Sequence, residues 1–263
     1  MTATPSALRP IVEVARDLDV SPEYLEPYGR DKAKVHLDAL NSGRKPGKLI
    51  LVSAITPTPA GEGKTTTSIG LAQGMRRIGE RVALALRQPS MGPVFGRKGG
   101  ATGGGLSKVE PSDTINLQFT GDFHAITAAN NLLAAAIDNR LYFRDFDVDP
   151  TRILWKRALD VNDRALRRIV IGLGGRSQGI PRESGFDITA ASEIMAVLCL
   201  SESLGDLRER LDRILVGYSN DGAPVTARAF GMTGSMTAIL KDALLPNLVQ
   251  TTESVPAFVY GGP

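Results

Sequence analysis

The ten residues Thr56-Pro-Thr-Pro-Ala-Gly-Glu-Gly-Lys-Thr65 constrain this chain more than any other stretch. They follow an apolar run, Lys48-Leu-Ile-Leu-Val-Ser-Ala-Ile55, and lead into a segment of helical character from about Lys64 to Ile78. A continuous apolar run bounded by Gly and Pro reads as a strand buried on both faces of a parallel sheet. Gly-Lys-Thr between such a strand and a helix is the context of a phosphate-binding loop. Gly61 and Gly63 let the backbone turn its N–H groups toward phosphate oxygens. Lys64 reaches the β and γ phosphates, and the Thr65 hydroxyl is placed to ligate Mg2+. The following helix turns its positive end to the same place. The nucleotide site read from this pattern is Thr56, Pro57, Thr58, Pro59, Ala60, Gly61, Glu62, Gly63, Lys64, Thr65 and Thr66, with ATP and Mg2+ as cofactors and Thr65 as the metal ligand. Thr58 stands where the strict pattern has a glycine, as happens in a deviant class of P-loop proteins. The bland alternative is a glycine-rich turn that merely caps a helix.

The rest of the chain alternates strand and helix signals. Helices are predicted near Ile11–Leu18, over 27–40 before the Asn41-Ser42-Gly43 breaker, over 123–139, 188–200 and 207–211, and over 236–245 before Pro246. Strands are predicted over 81–86, 114–119, 169–173, 214–217, 248–251 and 257–260. Such alternation predicts an α/β fold: a P-loop nucleotide-binding domain with a mostly parallel, doubly wound sheet. Residues 1–45 read as a segment that wraps this domain. The final Val259-Tyr-Gly-Gly-Pro263 reads as a strand entering a loop, so the domain is expected to be partial and truncated at its C-terminus.

Composition narrows the function classes. The 263 residues carry 31 Lys and Arg against 28 Asp and Glu, a net charge of +3. The pI near 9.1 invites a nucleic-acid reading. No basic run or basic-aromatic stripe supports one, and a diffuse excess suits small anionic ligands instead. Cys199 is the single cysteine, so no internal disulfide forms, and its apolar neighbours predict a buried structural thiol. No stretch approaches the ~20 apolar residues of a membrane span. No signal-peptide core opens the chain, so a soluble, cytoplasmic protein is expected.

Several longer segments together resemble formate–tetrahydrofolate ligases. They are Thr56–Thr67, Ala85-Leu-Arg-Gln-Pro-Ser-Met-Gly-Pro-Val-Phe-Gly96, Phe119-Thr-Gly-Asp-Phe-His-Ala-Ile-Thr-Ala-Ala-Asn-Asn131, Gly185-Phe-Asp-Ile-Thr-Ala-Ala-Ser-Glu-Ile-Met195 and Lys241-Asp-Ala-Leu-Leu-Pro-Asn-Leu-Val-Gln250. They fall in the family's order, from about residue 10 onward. The resemblance implies ATP-dependent ligation of formate to tetrahydrofolate in one-carbon metabolism, by way of formyl phosphate. It implies that Arg87 holds formate and formyl phosphate, a task suited to a planar, permanently charged fork. It also implies a longer parent protein, with the folate-side domains absent here, and a homo-oligomer. Formate, ATP and tetrahydrofolate are then the partners, with no nucleic acid and no membrane.

Asp122 and His124 open a helix. They read either as a helix cap and a satisfied structural histidine, or as acid–base or orienting groups in the cleft. Gly99, Gly100, Gly103, Gly104 and Gly105, with Arg97 and Lys98, read as a second phosphate-side loop or as a merely mobile one. Asn130 and Asn131 lie inside an apolar helix and are expected to hydrogen-bond across the core or the cleft. Gln88, Gln118 and Tyr260 depart from the family, which usually has glutamate, histidine and histidine there. Each change removes an ionisable group. Two other readings stay open: a different kinase or ATPase of the deviant P-loop class, and a non-catalytic nucleotide-binding paralogue. A nucleic-acid-binding ATPase ranks last. A sheet lacking its later strands is expected to leave this chain poorly soluble or marginally stable.

Overall fold

The computed structural model describes residues 8–41, 43, 46–56, 58, 61–96, 102–175 and 177–261. In chain order the elements begin with α1 (Ile11–Arg16), β1 (Leu25–Pro27), β2 (Ala33–Val35), α2 (Lys64–Arg77), β3 (Leu84–Arg87) and α3 (Met91–Val94). They continue with β4 (Gly103–Gly104), β5 (Ser107–Glu110), α4 (Ser112–Asn116), α5 (Asp122–Phe143), β6 (Arg157–Leu159), β7 (Ile169–Ile171), β8 (Arg182–Ser184) and β9 (Phe186–Ile188). The last are α6 (Glu193–Leu200), α7 (Leu204–Asp212), β10 (Leu215–Tyr218), β11 (Pro224–Thr226), α8 (Thr233–Leu240), β12 (Asn247–Thr251) and β13 (Pro256–Tyr260). The chain divides into two compact units. One combines residues up to Thr120 with Leu245–Gly261, and the other is built from Gly121–Leu244.

The first unit is an α/β body on one mixed sheet. Its strands run in the order β1-β2-β12-β13-β3, with β5 also paired to β12 and β4 to β5. Only β13 and β3 run parallel, in the register Ala257↔Leu84 to Tyr260↔Arg87. Every other pair in this sheet is antiparallel. This corrects the expectation of a mostly parallel, doubly wound sheet. For β12 and β13 the reason is chain length: four residues, Thr252 to Val255, join them, and a parallel crossover needs a dozen or more. Ser254 takes a left-handed φ of 61° to close that turn.

Two cores hold the sheet. Ile69 and Ala72 of α2 pack with Leu84, Val109, Ile115, Val249, Val255, Ala257 and Val259. Ile11, Val14 and Ala15 of α1 pack with Leu25, Ala33, Val35 and Leu248. Side-chain amides add polar ties. Gln250 exchanges two hydrogen bonds with the Arg9 backbone, at 2.8 and 3.3 Å. Asn247 accepts from Thr120 Oγ1 at 2.7 Å and donates to Val259 O at 3.1 Å.

The second unit is mainly helical. Its 22-residue α5 presents Phe123, Ile126, Ala129, Leu133, Ile137 and Leu141 as a buried stripe at helical spacing. Helices α6 and α8 pack on α5, and α7 packs on α8. Three two-stranded pairs complete the unit: β6 with β9 (parallel), β7 with β8 and β10 with β11 (both antiparallel).

Three expectations are corrected, and a fourth is met over fewer residues. Residues 27–40 are not a helix: Gly29 at φ 81° turns the chain back, and β2 is buried at all three residues between β1 and β12. Residues 114–119 are not a strand, because α4 occupies Ser112–Asn116 and Phe119 turns left-handed at φ 48°. Residues 169–171 do form a strand, but it pairs only with β8 and leaves Val170 58% exposed. The apolar run Lys48–Ile55 forms no strand among the described residues, and Leu49 and Leu51 are 92% and 82% exposed. A strand is defined by its neighbours' hydrogen bonds, and no described strand pairs with this run.

Candidate phosphate and formate site

The loop that opens α2 has a defined backbone over its described residues. Gly61 N–H donates to Thr58 O at 3.1 Å, which closes a turn, and Gly61 takes φ 84°. Gly63 is the N-cap of α2 at φ 76°, with no side-chain cap hydrogen bond. A β-carbon at either glycine would meet open space but a disfavoured backbone conformation, so the requirement for Gly is conformational. An N-cap without a side-chain acceptor leaves the first-turn N–H groups of Lys64, Thr65 and Thr66 available, beside the positive end of a 14-residue helix. The strand expected before this loop is absent, so only the helix half of the strand–loop–helix context is present. Pro57, Pro59 and Ala60 lie outside the described residues.

Lys64 and Glu62 meet across Gly63. The Lys64 ammonium pairs with Glu62 Oε2, while Glu62 Oε1 accepts the Thr58 N–H. Lys64 beside it, with the Thr58 N–H second, lowers the Glu62 carboxyl to about 2. The sequence reading placed Glu62 in the loop but missed this pairing; the signal available was a Glu and a Lys flanking one glycine. Thr65 is half-buried and Thr66 exposed in the first turn of α2.

Arg87 closes β3, which follows α2 and packs against it in the same unit. Its side chain is exposed. The parallel register sets it beside Tyr260, and Gln88 N–H donates to Tyr260 O at 2.6 Å. Gln88 is 3% exposed, and its Oε1 has no hydrogen-bond partner among the described residues. A buried, unmatched acceptor next to Arg87 marks a place that calls for a donor. Gln118 is exposed.

Asp122 and His124 belong to the other unit, at the start of α5. Gly121 at φ 91° is the N-cap, so Asp122 is the first helical residue and not the cap. Asp122 is buried, whereas His124 is exposed and so is not a buried structural histidine. Asn130 and Asn131 do bond to neighbouring backbone. Asn130 Nδ2 donates to Lys156 O at 3.0 Å, and Asn131 Nδ2 donates to Ala158 O at 3.0 Å. Cys199 is half-buried against Met195, less enclosed than its neighbours suggested.

Of the glycine-rich stretch, residues 97–101 lie outside the described residues. Gly103 and Gly104 pair with Ser107 and Lys108 as a short hairpin, a regular element where none was expected. A β-carbon on Gly103, at φ 86°, would stand 2.1 Å from Ser107 O, which accounts for that glycine by hairpin geometry. The helical unit also holds a cavity of about 660 Å3, walled by Tyr142, Phe143, Phe186 and Asp138, with Asp138 tied to Arg157 and Arg182. None of the candidate residues lines it.

Among the described residues no cluster of three His, Cys, Asp or Glu side chains could hold a metal ion. No described helix is long and apolar enough to cross a membrane.

Fold and loop define the class: an α/β protein whose α2 starts at a left-handed glycine with no side-chain cap. The formate–tetrahydrofolate ligase family model matches residues 1–263. The chain is 58% identical over 261 residues to the formate–tetrahydrofolate ligase of Saccharopolyspora erythraea, covering 98% of this chain and 46% of that protein. It is 60% identical over 259 residues to the enzyme so named in Symbiobacterium thermophilum, covering 97% and 47%. It is 58% identical over 259 residues to that of Syntrophus aciditrophicus, covering 97% and 46%. The chain belongs to the formate–tetrahydrofolate ligase family. It spans about half the length of the curated relatives it matches.

Proposed function

We propose that this chain carries the ATP- and formate-handling part of a formate–tetrahydrofolate ligase. The observation that carries the reading is the Gly61–Thr66 helix start, in a chain that the family model matches throughout. In the first step a formate oxygen attacks the γ-phosphorus of ATP, the bond to the β-phosphate oxygen breaks, and formyl phosphate and ADP result. In the second, N10 of tetrahydrofolate attacks the formyl carbon, phosphate leaves with its electron pair, and the amine gives up a proton. The first step asks for positioning and charge neutralisation more than covalent help. Lys64 and the N–H groups of the α2 start supply positive charge to the β and γ phosphates. Arg87 holds the formate carboxylate and then the acyl phosphate through paired N–H donors. The Thr65 hydroxyl would hold Mg2+, which supplies charge neutralisation on the phosphates. Asp122 and His124 are proposed as orienting or acid–base groups of the same reaction. The remaining loop residues, Thr56 to Thr66, frame the nucleotide. In this reading residues 1–263 are the nucleotide side of the protein, residues 1–45 are its wrapping segment, and the folate-stacking groups belong to the length that the relatives have beyond it. The working protein is a cytoplasmic homo-oligomer.

Formate-dependent ADP release from Mg-ATP, measured without folate, tests the reading. Lys64→Ala and Arg87→Ala are each expected to lower it by about 100-fold or more, the scale of losing one charge-stabilising donor. ATP turnover indifferent to formate would sink the ligase reading. ATP binding without turnover, dependent on Lys64, would favour the second reading, a non-catalytic nucleotide-binding paralogue. That reading has its own support in Gln88, Gln118 and Tyr260, where no carboxylate or imidazole stands.

A further inference from the structure

The Glu62 carboxylate holds Lys64, which the proposed function assigns to phosphate, together with a backbone N–H of the same loop. Oε1 accepts the Thr58 N–H and Oε2 takes the Lys64 ammonium. A carboxylate and a terminal phosphate compete for such donors on equal terms, since both present paired anionic oxygens. We propose that Glu62 is a resident anion in the phosphate cradle, an internal competitor that a nucleotide must displace before its phosphates reach Lys64. The inference rests on the nucleotide reading of this loop.

Three observations point the same way. The contact is local, with one left-handed glycine between the partners, so forming it orders little additional chain. The carboxylate stays ionised far below neutral pH, so it cannot leave its place by taking a proton. Its side chain is 14% exposed against 45% for Lys64, so the loop shelters the acid more than the base. If a triphosphate took Lys64 while Glu62 remained, two anions would face each other within one turn of chain. Displacement follows, and with it selectivity: a ligand of several charges repays the lost ion pair, whereas a lone small anion does not.

Calorimetric binding of Mg-ATP and of inorganic tripolyphosphate to the whole chain, wild type against Glu62→Gln, provides the test. Gln keeps the size and the Thr58 hydrogen bond but gives up the charge. Binding tighter by about five-fold is expected from removal of one partly exposed ion pair. The gap is expected to narrow as salt rises, since screening weakens that pair. Glu62→Ala is expected to move in the same direction, and unchanged thermal midpoints show that both variants fold. Equal or weaker binding by Glu62→Gln, where the wild type binds in a Lys64-dependent way, overturns the proposal and leaves the nucleotide reading standing. Absence of binding by both proteins overturns the nucleotide reading and the proposal together. Binding by Glu62→Gln alone is the strongest support.

Discussion

Asn131 shows what one polar side chain inside an apolar helix accomplishes. Its Oδ1 accepts the Ala158 N–H at 2.8 Å and its Nδ2 donates to Ala158 O at 3.0 Å. That is the pattern a neighbouring strand would offer, so α5 supplies one more hydrogen-bonding edge to β6. Asn130 adds a bond to Lys156 O, and Trp155 Nε1 donates back to Asn130 O at 3.1 Å. Replacing Asn131 by Ala leaves a backbone donor and acceptor unmet, at about 1–3 kcal/mol for a buried polar group deprived of its partner. Asn131→Ala is therefore expected to lower the unfolding free energy by that amount, seen as a lower urea midpoint with no change in slope. Asn131→Asp is expected to lose as much, because its second oxygen would face a carbonyl oxygen. A variant as stable as wild type would show that water replaces both bonds. This pair was legible in the sequence as an oddity, two amides in an apolar helix. Its partners were not, because they lie 26 and 27 residues further along the chain.

Elements were legible where the chain decides locally. Helices α2 and α5 carry enough periodic residues to declare themselves, and the expected spans agree with Lys64–Arg77 and Asp122–Phe143 to within a few residues. β2 fails that condition. Ala33-Lys34-Val35 is short, and Lys34 is wholly buried because β12 lies beside it, with Lys34 Nζ donating to Leu245 O at 3.2 Å. Nothing within ten residues announces a partner more than two hundred positions away. Asp17 joins elements in the same long-range manner. At the end of α1 it accepts from Arg9 at 2.9 Å and pairs with Arg76 of α2 at 3.0 Å. The Arg9 hydrogen bond, chiefly, holds its carboxyl below the ordinary carboxylate range. The sign follows: a depressed folded-state value gives stability that is present above the unfolded value near 4 and lost as pH falls through the lower folded value. Asp17→Asn is expected to destabilise by about 1 kcal/mol at pH 7, the scale of a partly exposed ion-pair network. The difference is expected to shrink as pH falls below the ordinary carboxylate range and through the lower folded value. Thermal melts of both proteins across that range decide it, and a difference that persists at low pH would assign the effect to packing instead of charge.

The first unit leaves both apolar surface and a sheet edge uncovered among the described residues. Leu49, Ile50, Leu51 and Ile55 stand exposed within eight residues, and the outer edge of β3 has no strand partner among the described residues. An exposed apolar run and an open sheet edge each favour association of chains in water. A net charge of only +3 on 263 residues offers little repulsion to oppose it. The chain by itself is therefore expected to self-associate with rising concentration, seen by light scattering on a sizing column, and to bind a hydrophobic dye while still folded. Leu49→Lys combined with Leu51→Lys is expected to reduce both signals. It is also expected to leave the thermal midpoint nearly unchanged, because substitutions at exposed positions typically stay within about 0.5 kcal/mol. The opposite result is equally informative. If the double variant unfolds, the prediction fails, because substitutions at exposed positions do not remove a fold. If the variant folds and stays monomeric, the run is a surface that other chain must cover, and its cover is to be sought in the length by which the relatives exceed this chain.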